Sequence, residues 1–139
     1  MINFNFENDF RLENEEVISN WISKVIEQEK CNLGEINYIF CDDDYLHKLN
    51  VEFLNHDTLT DIISFDYAIG KTLHGDIFIS TERVLDNASD FGVSFEDELN
   101  RVMIHGILHF CGYKDKSDSD SKLMRQKEDE SLALLDSIR

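Results

Sequence analysis

The spacing of apolar residues changes period several times along this chain, and each change predicts an element. Ile2, Phe4 and Phe6 alternate with Asn3, Asn5 and Glu7, so the stretch from Met1 to Phe10 opens as a strand with one inward face. Val17, Ile18, Trp21, Ile22, Val25 and Ile26 recur at three- and four-residue spacing, predicting a long amphipathic helix from Glu13 to Glu29 that starts near Glu13 or Asn14. The β-rich run Ile36-Asn37-Tyr38-Ile39-Phe40 predicts a second strand from Glu35 to Cys41, after which Asp42-Asp43-Asp44 caps a short helix reaching about Phe53. Strands follow at Thr60 to Phe65 and Asp76 to Ser80, and Ser80 or Thr81 caps a helix through Asn87. Leu99, Val102, Met103, Ile107 and Leu108 then form one buried stripe on a helix from Phe95 to Leu108. A charged final helix, Asp120 to Ile138, carries Leu123, Met124, Leu132, Leu134, Leu135 and Ile138 on its apolar side. This order predicts an α+β fold in which a small mixed four-stranded sheet packs against helices.

With 139 residues the chain has enough length for one buried core and too little for two ordinary domains, so residues 1–139 are expected to form a single domain. It has no proline to mark a linker, no internal repeat and no glycine-rich phosphate loop. No early apolar segment has the flanks of a signal peptide, and no run has the length of a membrane span. Cys31, Cys41 and Cys111 form an odd set without a C-x-x-C pair, which points to free thiols in a reducing cytoplasm.

The chemistry concentrates at His105-Gly106-Ile107-Leu108-His109-Phe110-Cys111-Gly112-Tyr113-Lys114-Asp115. Residues four apart on a helix share a face, so His105 and His109 can aim at one centre. Gly112 stands where a helix can end with positive φ, and Tyr113 to Asp115 can then fold back to bring Asp115 as a third ligand. Three protein ligands with a fourth place for water is the usual catalytic zinc arrangement, which makes this a zincin-like metal helix. Position 106, where H-E-x-x-H peptidases carry their general base, is glycine, so peptidase chemistry loses support. Cys111, two residues past His109, should face away from the pair. The polar stretch Asp115 to Ser121 lacks the glycine and glutamate spacing of a calcium loop and reads as a loop with a helix cap. His47, His56 and His74 read as ordinary loop or surface residues, His74 being the one nearest a conspicuous strand.

These residues carry a resemblance to the YbeY family of bacterial metal-dependent endoribonucleases that act in ribosomal RNA maturation. The family's H-G-x-L-H-x-x-G-Y signature is met by His105, Gly106, Leu108, His109, Gly112 and Tyr113. Leu49-Asn50 followed by Thr60-Asp61-Ile62-Ile63-Ser64-Phe65 resembles a second family segment, and Gly75-Asp76-Ile77-Phe78-Ile79-Ser80 a third. The resemblance spans roughly residues 35 to 135. Two departures stand out. Asp115 occupies the place of the family's third histidine, with Lys114 in place of the preceding aspartate, and Phe53-Leu54 replaces a tyrosine-arginine pair. A carboxylate is an acceptable zinc ligand, although it leaves the ion less electrophilic than an imidazole would. The arginine lost at Leu54 removes a phosphate-binding cation.

Net charge adds a tension. There are 29 acids against 13 bases, a formal charge of -16, whereas nucleic-acid affinity normally draws on Lys and Arg neutralising phosphates. The later bases, Lys114, Lys116, Lys122, Arg125 and Lys127, surround the proposed site, interleaved with Asp118, Asp120 and Glu128. Ribosome-associated partner proteins are expected to supply positioning that such a surface cannot. The resemblance implies hydrolysis of single-stranded RNA, with ribosomal RNA precursor or ribosomal particles as partner and no membrane. His105, His109 and Asp115 would hold one zinc ion, and His105, His109 and Arg101 would carry the catalysis. Arg101, one turn before His105, is placed either to touch a substrate phosphate or to form an ion pair. Tyr113 reads as a loop anchor, while Ser64, Asp66 and Asp76 stand where they can orient ligands or water. The competing reading is a non-catalytic ribosome-assembly factor that retains a metal, with a metalloprotease third.

Overall fold

A computed structural model describes residues 1–55 and 59–139. The sequence reading of His56 lies outside the described residues. Four strands, β1 (Ile2–Phe6), β2 (Asn32–Cys41), β3 (Ile62–Asp66) and β4 (Thr72–Ser80), form one sheet in the order β1-β2-β4-β3. β2 runs parallel to both β1 and β4, whereas β3 closes the edge antiparallel to β4, so the sheet is mixed as the sequence predicts. Parallel neighbours need crossovers, and α1 (Glu15–Gln28) and α2 (Asp43–Leu54) lie in the connections that leave β1 and β2. The remaining helices are α3 (Thr81–Phe91), α4 (Phe95–Phe110) and α5 (Asp118–Ile138).

Alternation along β4 separates two cores. Leu73, Ile77 and Ile79 face α1 and α4 in a cluster that includes Trp21, Tyr38, Met103, Ile107 and Leu135. Phe78 points to the other face, where Leu46 of α2 packs with Cys41 and Ile63. Burying that first cluster, at roughly 25 cal/mol per Å² of apolar surface, is the main force placing α4 against the sheet. Trp21 Nε1 donates to the Ser131 carbonyl at 2.7 Å, joining α1 to α5.

The caps follow the sequence. Asp42 accepts from the Tyr45 amide, Ser80 from Arg83 and Ser94 from Asp97 at the starts of α2, α3 and α4. Asn14 stands at the start of α1 without a side-chain cap. β2 and β4 begin earlier than the sequence predicts because Asn32 and Leu33 pair with Thr72 and Leu73, an extension that mutual hydrogen bonding sustains without strong local preference. Cys41 is buried, Cys31 and Cys111 are half-buried, and all three are free. Burial, with Asp42, Glu7 and Asp43 nearby, pushes the Cys41 thiol up to about 12. No described helix is long and apolar enough to cross a membrane.

Candidate metal centre

The site is built at the C-terminal end of α4. Glu96, Asp97 and Glu98 in the first turn complement the positive end of the helix dipole, and the inward stripe seats the helix on β3 and β4. His105 and His109 are one turn apart with ring centroids 4.5 Å from each other and planes at 81°. Between them, Gly106 lies against the sheet: a Cβ there would sit 3.0 Å from Ile77 Cδ1 and 3.2 Å from Ile62 Cδ1. A side chain at position 106 would therefore press on Ile77 and Ile62 and require them to shift.

The turn after α4 delivers the third group. Gly112 has φ 106°, its amide donates to the His109 carbonyl at 3.0 Å, and the Tyr113 amide donates to Leu108 at 3.1 Å. This paired pattern is a Schellman motif and reverses the chain at the position the sequence indicates. Tyr113 anchors the turn by donating its hydroxyl to Glu29 Oε1 at 2.5 Å, and Ser121 Oγ donates to the Asp115 carbonyl at 2.7 Å. Asp115 Oδ2 is thereby held 3.2 Å from His105 Nε2 and 3.3 Å from His109 Nε2, while the two Nε2 atoms are 3.0 Å apart. Among the described residues these three are the only cluster of histidine, cysteine or acidic side chains close enough to share an ion. Two ring nitrogens directed at each other and at one carboxylate oxygen make the mixed nitrogen and oxygen donor set that zinc accepts, so the residues fit the ion.

His105 also contacts a residue that sequence reasoning treated only as part of a mixed charged rim. Its Nδ1 lies 2.7 Å from Oε2 of Glu128 on α5, whose side chain is only 7% exposed. The other oxygen of Glu128 accepts from Arg101 Nη1 at 2.9 Å, and Arg101 Nη2 bonds Asp129 at 2.7 Å. Of the two roles open to Arg101, the ion pair is the one formed in this structure. The sequence did carry a signal for Glu128: Met124, Glu128, Ser131 and Leu135 share the buried side of α5, and an acid on such a stripe asks for a partner. Burial by itself would lower the His105 imidazolium, but the hydrogen bond and charge of Glu128, helped by Asp115 and Asp61, turn the net shift upward.

Beside the triad opens a cleft of about 290 Å³ bordered by Asp61, Ile62, Glu98, Arg101, Val102, His105, Asp115, Arg125 and Glu128. Burial raises the Asp61 carboxyl against its backbone, His105 and Asn87 contacts. Burial also raises Glu98, with Asp61 adding to it and Arg101 and Arg125 opposing. Arg125 is 63% exposed and has only a 3.8 Å contact with Glu128, so its cation remains open to the cleft.

The other residues singled out earlier have local roles. His74 Nδ1 accepts from the Glu35 amide. Asp76 accepts from Asn37, Asp66 from the Ala68 amide, and Ser64 pairs opposite Ile77 in β3. Ser117 caps α5 by accepting from Asp120, as the loop-and-cap reading of Asp115 to Ser121 requires. Cys111 borders a separate hollow with Glu29 and Tyr113, turned from the triad. Leu54, at the end of α2, is exposed.

Comparison with known proteins agrees with this architecture. The family model described as "Endoribonuclease YbeY" matches residues 2–136. A protein of Flavobacterium johnsoniae named endoribonuclease YbeY is 68% identical over 134 residues, covering 96% of each chain. Its namesake in Flavobacterium psychrophilum is 63% identical, with the same 96% coverage of both. A Thermotoga maritima protein whose structure was solved in solution superposes with a TM-score of 0.70 at 27% identity, covering 97% of this chain and 89% of that one.

Proposed function

Because the chain belongs to the endoribonuclease YbeY family, we propose that it is an RNA-cleaving hydrolase acting as one metallohydrolase domain over residues 1–139, with a single zinc ion held by His105, His109 and Asp115. The observation that carries this reading is the convergence of Nε2, Nε2 and Oδ2 within 3.3 Å at the mouth of a cleft. Zinc on three protein ligands supplies a Lewis acid that activates water and polarises a phosphoryl oxygen.

The chain's own groups supply the rest. His105 and His109 present nitrogen lone pairs, and the negative charge of Asp115 moderates the electrophilicity of the centre. Arg125, and Arg101 to the extent its two carboxylates leave it exposed, give the cleft positive charge to meet a phosphate. Glu98 and Asp61, both raised by burial, are cleft carboxyls that hold a proton more readily than an exposed acid does.

The substrate on this reading is single-stranded RNA, specifically ribosomal RNA precursor in the cytoplasm, with ribosomal particles and associated proteins compensating for a charge of -16. One observation favours the assembly-factor alternative: the exposed side chain at position 54 is a leucine and offers no cation to phosphate.

The test compares labelled single-stranded RNA with ribosomal particles, using zinc-loaded protein, chelated protein and the His105→Ala variant. Slow cleavage that chelation and the substitution both abolish is the expected result. Equal cleavage by wild type and His105→Ala overturns the proposed mechanism, and particle binding without metal-dependent cleavage selects the assembly factor.

A further inference from the structure

A buried carboxylate is costly unless it is paired and fully hydrogen-bonded, so a glutamate on the inward stripe of α5 requires an account. Glu128 is held from two directions. Oε1 accepts from Arg101, which is itself fixed by Asp129 at 2.7 Å, and Oε2 lies 2.7 Å from His105 Nδ1. Paired with the Arg101 guanidinium, the Glu128 carboxylate accepts hydrogen bonds, which assigns the donor role at the Oε2 contact to a protonated Nδ1. In the neutral imidazole the proton on Nδ1 leaves Nε2 with its lone pair, and that lone pair faces His109 Nε2 and Asp115 Oδ2.

We propose that Glu128, oriented by Arg101, is the positioning residue of the metal centre, selecting the His105 tautomer and ring angle that present Nε2 to the ion. The inference rests on the zinc reading given above. It also makes the two histidines unequal. His105 is clamped through both ring nitrogens, whereas His109 Nε2 bonds within the triad and its side chain is more exposed, at 32% against 22%. A ligand pre-oriented by a carboxylate on its second nitrogen is a recurring way to raise ligand basicity and lower the ordering cost of binding. A mere stability pair between Arg101 and Glu128 would not require Oε2 to face His105, and Arg101 keeps Asp129 when Glu128 is removed.

The experiment measures zinc affinity by competition with a chromogenic chelator in wild type, His109→Ala, Glu128→Ala and Glu128→Gln. It is joined by the visible spectrum of the cobalt-substituted proteins and by the nitrogen NMR shifts of His105 in the zinc-loaded state. Glu128→Ala should weaken zinc by about 10- to 100-fold, as loss of such a partner typically does. It should also alter the cobalt spectrum and the Nδ1 signal. Glu128→Gln, which retains an amide oxygen to accept from Nδ1, should recover most of the affinity and the wild-type spectrum. Affinity within twofold of wild type in Glu128→Ala, with unchanged spectra, overturns the inference while leaving the zinc site standing. A wild type that binds no zinc, or binds it equally well in His109→Ala, removes the zinc reading itself. If Glu128→Ala fails to fold, Glu128→Gln decides: spectra and affinity close to wild type support a positioning acceptor, and a loss as large as that of His109→Ala opposes it.

Discussion

Replacing Tyr38 by phenylalanine isolates one bond that holds the histidine-bearing helix α4 to the sheet. Tyr38 is fully buried in β2, and its ring stacks on Phe4 at 5.7 Å and on Phe40 at 6.2 Å. Its hydroxyl donates to the Met103 carbonyl at 2.9 Å, two residues before His105. Burial raises the phenol well above its ordinary value, so it remains a neutral donor throughout the working pH range. Tyr38→Phe deletes one oxygen and keeps both ring stacks. The Met103 carbonyl also keeps the intrahelical bond that every interior helix carbonyl accepts, so no acceptor is orphaned. The expected cost is therefore one net hydrogen bond, about 1 kcal/mol, rather than the larger penalty of an unsatisfied buried group. At an unfolding entropy of about 2.1 cal/mol/K per residue, this lowers Tm by about 3 °C for a domain of this size. Urea titration followed by Trp21 fluorescence, together with calorimetry, measures both quantities on metal-free protein. Zinc affinity should stay within twofold of wild type because no ligand moves. No loss of stability, or a loss above about 3 kcal/mol, would refute the reasoning, since the first denies the bond and the second denies that the carbonyl retains its helical partner.

Three further outcomes are expected. Asp115→Ala should weaken zinc binding, and Asp115→His should preserve or increase it by restoring the ligand type of the resembling family; unchanged affinity in both, read by chelator competition, would place the third ligand elsewhere. Gly75→Ala should cost about 1–3 kcal/mol or prevent folding, because its Cβ would lie 2.5 Å from the Phe110 ring and 2.7 Å from the Phe65 carbonyl; a urea midpoint equal to wild type would contradict that packing. Glu98 has a folded-state pKa raised above its ordinary 4.5, so its contribution is most favourable below that value and is lost as pH rises through the folded pKa. Glu98→Gln should consequently gain stability over wild type at neutral pH, with the difference shrinking on acidification, and a pH-independent difference would rule out a titrating Glu98 as its source.

What the sequence determined by itself is what arises within a turn or two of chain. The period-2 and period-3.6 patterns, together with the caps at Asp42 and Ser80, locate the nine elements of the described residues, since burial of one face is written into most of these segments. Asp42, Ser80 and Ser94 cap their helices through bonds to amides three residues on. The four-residue histidine spacing and Gly112 likewise define the shared histidine face of α4 and the chain reversal after it, because helix geometry and positive φ are local properties. The strand order β1-β2-β4-β3, by contrast, depends on pairings across dozens of residues, and the early starts of β2 and β4 exist only because Asn32 meets Thr72. The reach of Asp115 to both imidazoles also depends on Tyr113 finding Glu29, 84 residues away. Most of all, the fold decided the surroundings of the site. Glu128 stands 23 residues from His105 and on another helix, and Asp61 enters from the start of β3, so no spacing rule links them to the histidines. Burial shared between α4, α5 and the sheet brings these carboxyls beside His105, and the same burial raises the Asp61 carboxyl above its ordinary range.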